Sequence, residues 1–95
     1  MLLQRNKKLS FRRKIWIIQQ IRRAALSVHL NIAEGCTRKS ATERERFYEI
    51  ARGSIIEIDT ALDIAIELNY TTKEKLKELG QFMVRSFQMI SKMIL

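Results

Sequence analysis

Proline is absent from the 95-residue chain and glycine occurs only three times. Nothing therefore breaks a long helix from within, and the turn dipeptides that close β-hairpins are missing. The single cysteine, Cys36, has no internal disulfide partner, which points to a reducing compartment and a cytoplasmic protein. The one histidine, His29, lies one helical face away from Cys36, so the two do not make a nucleophile and base. Glu43, Glu45 and Glu49 do not combine with His29 in metal-ligand spacing. Catalytic residues, metals and cofactors are accordingly expected to be none. No apolar run approaches the ~20 residues of a membrane span. The opening MLLQRNKKLSFRRK mixes leucine with basic residues as a targeting peptide does, but no small-residue cleavage site follows it.

Acidic residues are scarce in one half only. Residues 1–40 hold ten Lys or Arg against the single acid Glu34, whereas residues 41–95 hold eight against nine, for a net formal charge of +8. The basic half is the candidate contact surface for an anionic partner. Aromatics are also few, and only Phe11 and Trp16 fall within that half, which leaves little for bases to stack on. Hydrophobic residues make up 46 % of the chain, enough for a helical core. A domain this small buries only about 60–65 % of its extended surface, so a partner surface would add stability.

Residues 20–35, QIRRAALSVHLNIAEG, organise the chain. At 100° per residue Ile18, Ile21, Ala25, Val28 and Ile32 fall on one stripe, continued upstream by Ile15 and Phe11, as a buried helix face requires. The opposite arc collects Gln20, Arg23, Ser27, Asn31 and Glu34. Its short amides and hydroxyl suit hydrogen bonding in a partly buried place better than a solvated face does. Gly35 reads as a left-handed stop. Trp16, Leu26 and Leu30 project toward the polar arc, where another helix or another subunit best explains them.

The periodicity predicts one all-α domain, an antiparallel up-and-down bundle of three long helices over residues 11–34, 41–68 and 72–94. Residues 1–9 read as a basic arm or the remnant of a preceding helix, with Ser10 as the N-cap of the first long helix. Ser40 with Glu43, and Thr71 with Glu74, have capping-box spacing. The second helix carries a seam of Phe47, Ala51, Ser54, Ile58, Ala61, Ala65 and Leu68, widened by Ile50, Ile55, Leu62 and Ile66. Mid-helix Gly53 implies close approach of a neighbouring helix, with Ala24 or Ala25 opposite. The third helix presents Leu76, Leu79, Met83, Phe87, Ile90 and Ile94.

QIRRAALSVHLNIAEG, ARGSIIEIDTALDIAIELNY at residues 51–70, and the spacing between them resemble the small four-helix-bundle proteins encoded within intervening sequences of bacterial 23S rRNA genes. The resemblance marks Gln20, Arg22, Arg23, Ala24, Asn31, Glu34 and Gly35, and likewise Gly53, Ser54 and Glu57, as family positions. It implies a four-helix up-and-down bundle assembled into a homopentamer. A relative, the accessory protein of diversity-generating retroelements, implies nucleic acid and a reverse-transcriptase-like protein as partners. No enzyme chemistry is implied. The family's first helix would precede Phe11, where this chain has about ten residues.

Arg5, Lys7, Lys8, Arg12, Arg13, Lys14, Arg22 and Arg23 form the candidate nucleic-acid surface, which would act on phosphates without reading sequence. No RNA-recognition motif, KH loop or zinc-finger spacing accompanies it. Arg23 has a competing reading as an ion pair with Glu34, Glu57 or Asp59, and for Arg22 both readings stand. A helix-turn-helix reader across residues 30–46 is disfavoured by the length and central apolarity of the second helix. Membrane-surface binding by the amphipathic N-terminus is a minor alternative. The sequence thus predicts a non-catalytic, self-associating scaffold or accessory protein that binds RNA or DNA. The alternative is a purely structural protein–protein interaction module.

Overall fold

The computed structural model describes the backbone of residues 2–94 and the side chains of residues 7–94. Three helices account for the fold: α1 (Leu2–Thr37), α2 (Ala41–Glu67) and α3 (Lys77–Ile94). There is no strand among the described residues. α1 pairs with α2 and α2 with α3, while the described residues of α1 and α3 share no close backbone contact. The directions follow from named pairs. Cys36 meets Tyr48, Ser27 meets Ser54 and Ser10 meets Tyr70, so α1 and α2 run antiparallel. Arg52 meets Ser91, while Asp59 shares a groove with Gly80 and Met83, so α3 turns back again. The molecule measures 59 × 24 × 13 Å, and α1 alone spans about 54 Å of that length at 1.5 Å per residue.

Two differences from the sequence reading concern α1. The stretch to Leu9 is neither an arm nor a separate helix; it forms the first turns of α1, because no proline or glycine interrupts it. Ser10 is consequently internal rather than a cap, and its carbonyl accepts the Tyr70 hydroxyl at 3.2 Å. The buried face is also rotated from the expected stripe. Ile17 and Ala24 are buried, with Ile21, Val28 and Ile32 half-covered, whereas Phe11, Ile15 and Ile18 are exposed. Packing against α2 alone selects the narrow line through Ile17 and Ala24. The expected stripe would need a neighbour on its flank, and α3 does not reach it.

The turns are closed by side chains the sequence singled out. Ser40 caps α2, its hydroxyl oxygen accepting the Glu43 N–H at 3.4 Å. At the far end Asn69 adopts φ 62°, the left-handed position that follows a helix. The Tyr70 N–H then reaches the Ala65 carbonyl and the Asn69 N–H that of Ile66, the two bonds of a Schellman close. α3 begins later than residue 72. Residues 73–76 form turns, and Thr72 accepts the Lys75 N–H at 3.3 Å, one residue off the expected Thr71 box.

The core is thin. Tyr48, Ala51, Ile55 and Ile90 form its centre, with Val28 and Ile32 from α1 and Met83, Phe87 and Ile94 from α3 packed against them. Ala51, Ser54 and Ala65 of the α2 seam are buried as expected, but Ile50, Leu68 and Leu79 are exposed. Gly35 does not take a left-handed conformation; no glycine has positive φ. It is buried inside α1, and a Cβ there would stand 2.5 Å from Tyr48 Cε1. A glycine is needed because Tyr48 ring atoms occupy the space a side chain would take. Gly80 has no such neighbour. Gly35→Ala should therefore lower stability by about 1–3 kcal/mol through overpacking, while Gly80→Ala should raise it by up to about 1 kcal/mol through helix propensity. Urea unfolding followed by circular dichroism checks both signs.

Candidate functional site

A polar groove opens between α1 and α2. On α1 the residues Gln20, Arg23, Ala24 and Ser27 recur every three or four positions and so share a face. On α2 the same spacing brings Ile50, Gly53, Ser54 and Glu57 opposite them. Together these eight residues line a cleft of about 570 Å³. Six of them, Gln20, Arg23, Ala24, Gly53, Ser54 and Glu57, are positions marked by the two sequence motifs, drawn from stretches about 30 residues apart.

Hydrogen bonds hold the floor of the groove. Buried Ser54 places its hydroxyl 2.8 Å from Ser27 Oγ and 3.0 Å from the Ile50 carbonyl, its one proton serving either acceptor. Asn31 Nδ2 donates to the Ser27 carbonyl at 2.7 Å and to Ser27 Oγ at 3.1 Å. The short polar side chains of the α1 arc are thus satisfied in a partly buried place, as their composition suggested.

The walls carry opposite charges. Arg23 and Glu57 both line the groove and both are exposed, yet the expected ion pair between them is not formed. Among the described residues the one salt bridge joins Arg38 to Glu34 at 2.9 Å across an exposed helical turn, a geometry worth little in stability. Asp59 is not available to Arg23 either, since it faces the other way into the cleft between α2 and α3. Gly53 sits at the groove, and a Cβ added to it would meet nothing within 4 Å. The close approach of Ala24 or Ala25 expected there does not occur inside the chain, although the glycine still costs α2 about 1 kcal/mol relative to alanine.

The basic residues lie along the first part of α1. Lys7, Lys8, Arg12, Arg13, Lys14, Arg22 and Arg23 are all exposed; the side chain of Arg5 lies outside the described residues. No acid precedes Glu34. Lys14 stands over the Tyr70 ring, 5.0 Å from its centre, a cation–π contact that fixes this stretch of α1 against the end of α2. The sequence reading assigned Tyr70 no such role. The signal was available in a tyrosine just beyond the helix end, at the level of a basic turn. Trp16, Leu26 and Leu30, the proposed interface residues, are 58 %, 58 % and 55 % exposed.

At the opposite end of the hairpin Cys36 Sγ lies 3.5 Å from the Tyr48 hydroxyl. That hydrogen bond, followed by burial, raises the Tyr48 phenol above its ordinary pKa.

These features define a class: a small, basic, all-helical protein whose charge lies on one helix and whose motif residues line a polar inter-helical groove. The chain belongs to the 23S rRNA-intervening sequence protein family, whose sequence model matches residues 2–92. Comparison with curated proteins and with solved structures gives no match.

Because the folded state holds the Tyr48 proton more tightly than the unfolded chain, this contribution is intact below the ordinary phenol pKa of about 10 and is lost as pH rises through the raised value. Stability should fall more steeply above pH ~10 in the natural protein than in Tyr48→Phe. Denaturant midpoints taken across that range measure the difference.

Proposed function

We propose that the protein is a non-catalytic, self-associating helical scaffold that binds nucleic acid through the first part of α1. The observation carrying this reading is the run of exposed cations from Lys7 to Arg23 on a helix with no acid before Glu34. At 1.5 Å per residue the run is about 24 Å long, enough to follow several phosphates. Lysine and arginine on a rigid helix neutralise phosphate and release counterions, giving affinity without sequence readout. With few aromatics beside them, backbone contact is favoured over base stacking.

Family membership supports an origin within intervening sequences of ribosomal RNA genes. The four-helix closure, the homopentamer and a reverse-transcriptase-like partner, all implied by the resemblance, belong to this proposal, as does a cytoplasmic site of action. The second reading, a purely structural module whose positive charge serves an acidic protein partner, is favoured by the exposed Trp16, Leu26 and Leu30. No helix is long and apolar enough to cross a membrane among the described residues.

Salt titration separates the two readings. Anisotropy of labelled RNA and DNA should show binding at micromolar protein and about 50 mM salt. A log–log slope near −5 corresponds to about six phosphate contacts. Replacing Lys7, Lys8, Arg12 and Arg13 with glutamine should reduce the slope by about 3 and weaken all sequences alike. No anisotropy change at low salt removes the nucleic-acid reading and leaves the structural one.

A further inference from the structure

No contact among the described residues accounts for Gly53, Arg23 and Glu57. The glycine leaves a bare stretch of backbone in mid-helix with no atom placed to use it. Arg23 and Glu57 stand exposed on opposite walls of one groove without pairing. Beneath them the hydroxyls of Ser27 and Ser54 meet at 2.8 Å, so the floor is satisfied. The unmet capacity lies on the walls: the donors of a guanidinium on one, the acceptors of a carboxylate on the other. The cleft of about 570 Å³ is in the size range of small-molecule sites. One turn before Gln20 on the same face of α1 stands Trp16, 58 % exposed. A further turn back Arg12 and Arg13 flank that line, both exposed. Two cations, an aromatic ring and a groove of opposed donors and acceptors thus follow one another along one helix face.

We propose that the α1–α2 groove at Gly53 holds one unpaired guanine of a single-stranded nucleic acid whose phosphates follow the basic run. This rests on the nucleic-acid reading above and adds base recognition to it. The order of the parts selects the ligand. The arginines call for phosphate, the tryptophan for a flat ring, and the walls for a ring with acceptors on one edge and donors on the next. Guanine has that pattern. Its O6 and N7 accept from an arginine guanidinium, here Arg23, while its N1–H and 2-amino group donate to the two oxygens of the Glu57 carboxylate. Adenine sets a lone pair at N1 against the carboxylate, and each pyrimidine offers it a single donor group. Gly53 leaves the backbone bare where the base lies, and Trp16 stacks on the neighbouring base. In a duplex the donor edge of guanine is already paired, so the groove takes a single strand.

Anisotropy of labelled single strands on the full chain tests this, using oligopyrimidines of about 12 nucleotides, RNA and DNA, with one central guanine, adenine or inosine. The guanine strand should bind about tenfold tighter than the adenine strand. Inosine, which lacks the 2-amino group, should fall between them. Glu57→Ala removes the acceptors and Gly53→Leu fills the cleft, and each should bring the guanine-to-adenine ratio to about 1. Gly53→Leu should retain its helical circular dichroism, since a Cβ there meets no atom within 4 Å. The salt slope reports the phosphates and the ratio reports the groove, so the two readings fail separately. Equal affinities for the three strands, or a ratio that survives Glu57→Ala, overturn the base site while leaving phosphate binding standing. GMP alone should compete only at about 1 mM or above, because it lacks the contacts along α1. Micromolar GMP binding that persists when Arg12 and Arg13 are replaced by glutamine makes the groove a free-nucleotide site and overturns its assignment to a strand. No binding of any strand at about 50 mM salt overturns both readings.

Discussion

The fold depends on α2 being gripped by two helices whose described residues make no close backbone contact with each other. Ala51 is fully buried, and around it Tyr48 and Ile55 collect Val28 and Ile32 from one neighbour and Met83, Phe87 and Ile94 from the other. Small residues at the α1 contact, Ala24, Ser27, Ser54 and Gly35, let the two long helices lie close. The Tyr48 ring then fits against the bare backbone at Gly35. Loss of that fit would loosen the hairpin at its closed end, where Cys36 and Tyr48 also meet. Everything further out along α1, including the basic run, is positioned by the same pairing and by Tyr70 at the open end.

A helix gripped on one side has another side to account for. On α1 the outer surface alternates arginine and lysine with Phe11, Ile15, Trp16, Leu26 and Leu30, all exposed. For a chain that buries so little, this division of α1 into an α2-facing line and an outward apolar-basic surface is the main constraint on function. It favours a protein that works by contact with other molecules. No acid precedes Glu34 in the sequence, so α1 itself supplies no partner for these cations over most of its length.

Much of this was legible in the sequence. Three helices and the Ser40 cap followed from periodicity and from the chemistry of short polar side chains. The polar arc of α1 was legible because Ser and Asn in place of Lys and Glu signal partial burial. Other features depend on what stands opposite, which local pattern does not encode. Phe11, Ile15 and Ile18 fit a buried stripe by spacing, but α3 starts at Lys77 and does not cover them. Gly35 suited a left-handed stop equally well, and only the Tyr48 ring explains it. Arg23 and Glu57 were matched by sign and approximate level, yet side chains on opposite walls of an open cleft need not meet.

The attachment of α3 to a single neighbour has a consequence for the order in which the protein opens. α3 is half the length of α1 and is held through Ile90, Met83, Phe87 and the Arg52 side chain, which reaches Ser91 and lies over the Phe87 ring. Undocking it breaks no contact between α1 and α2, so it forms a low-energy sub-unit of opening while the hairpin stays intact. Amide protection should then fall into two tiers, with α3 exchanging first and the α1–α2 interface around Ala24, Ala51 and Ser54 last.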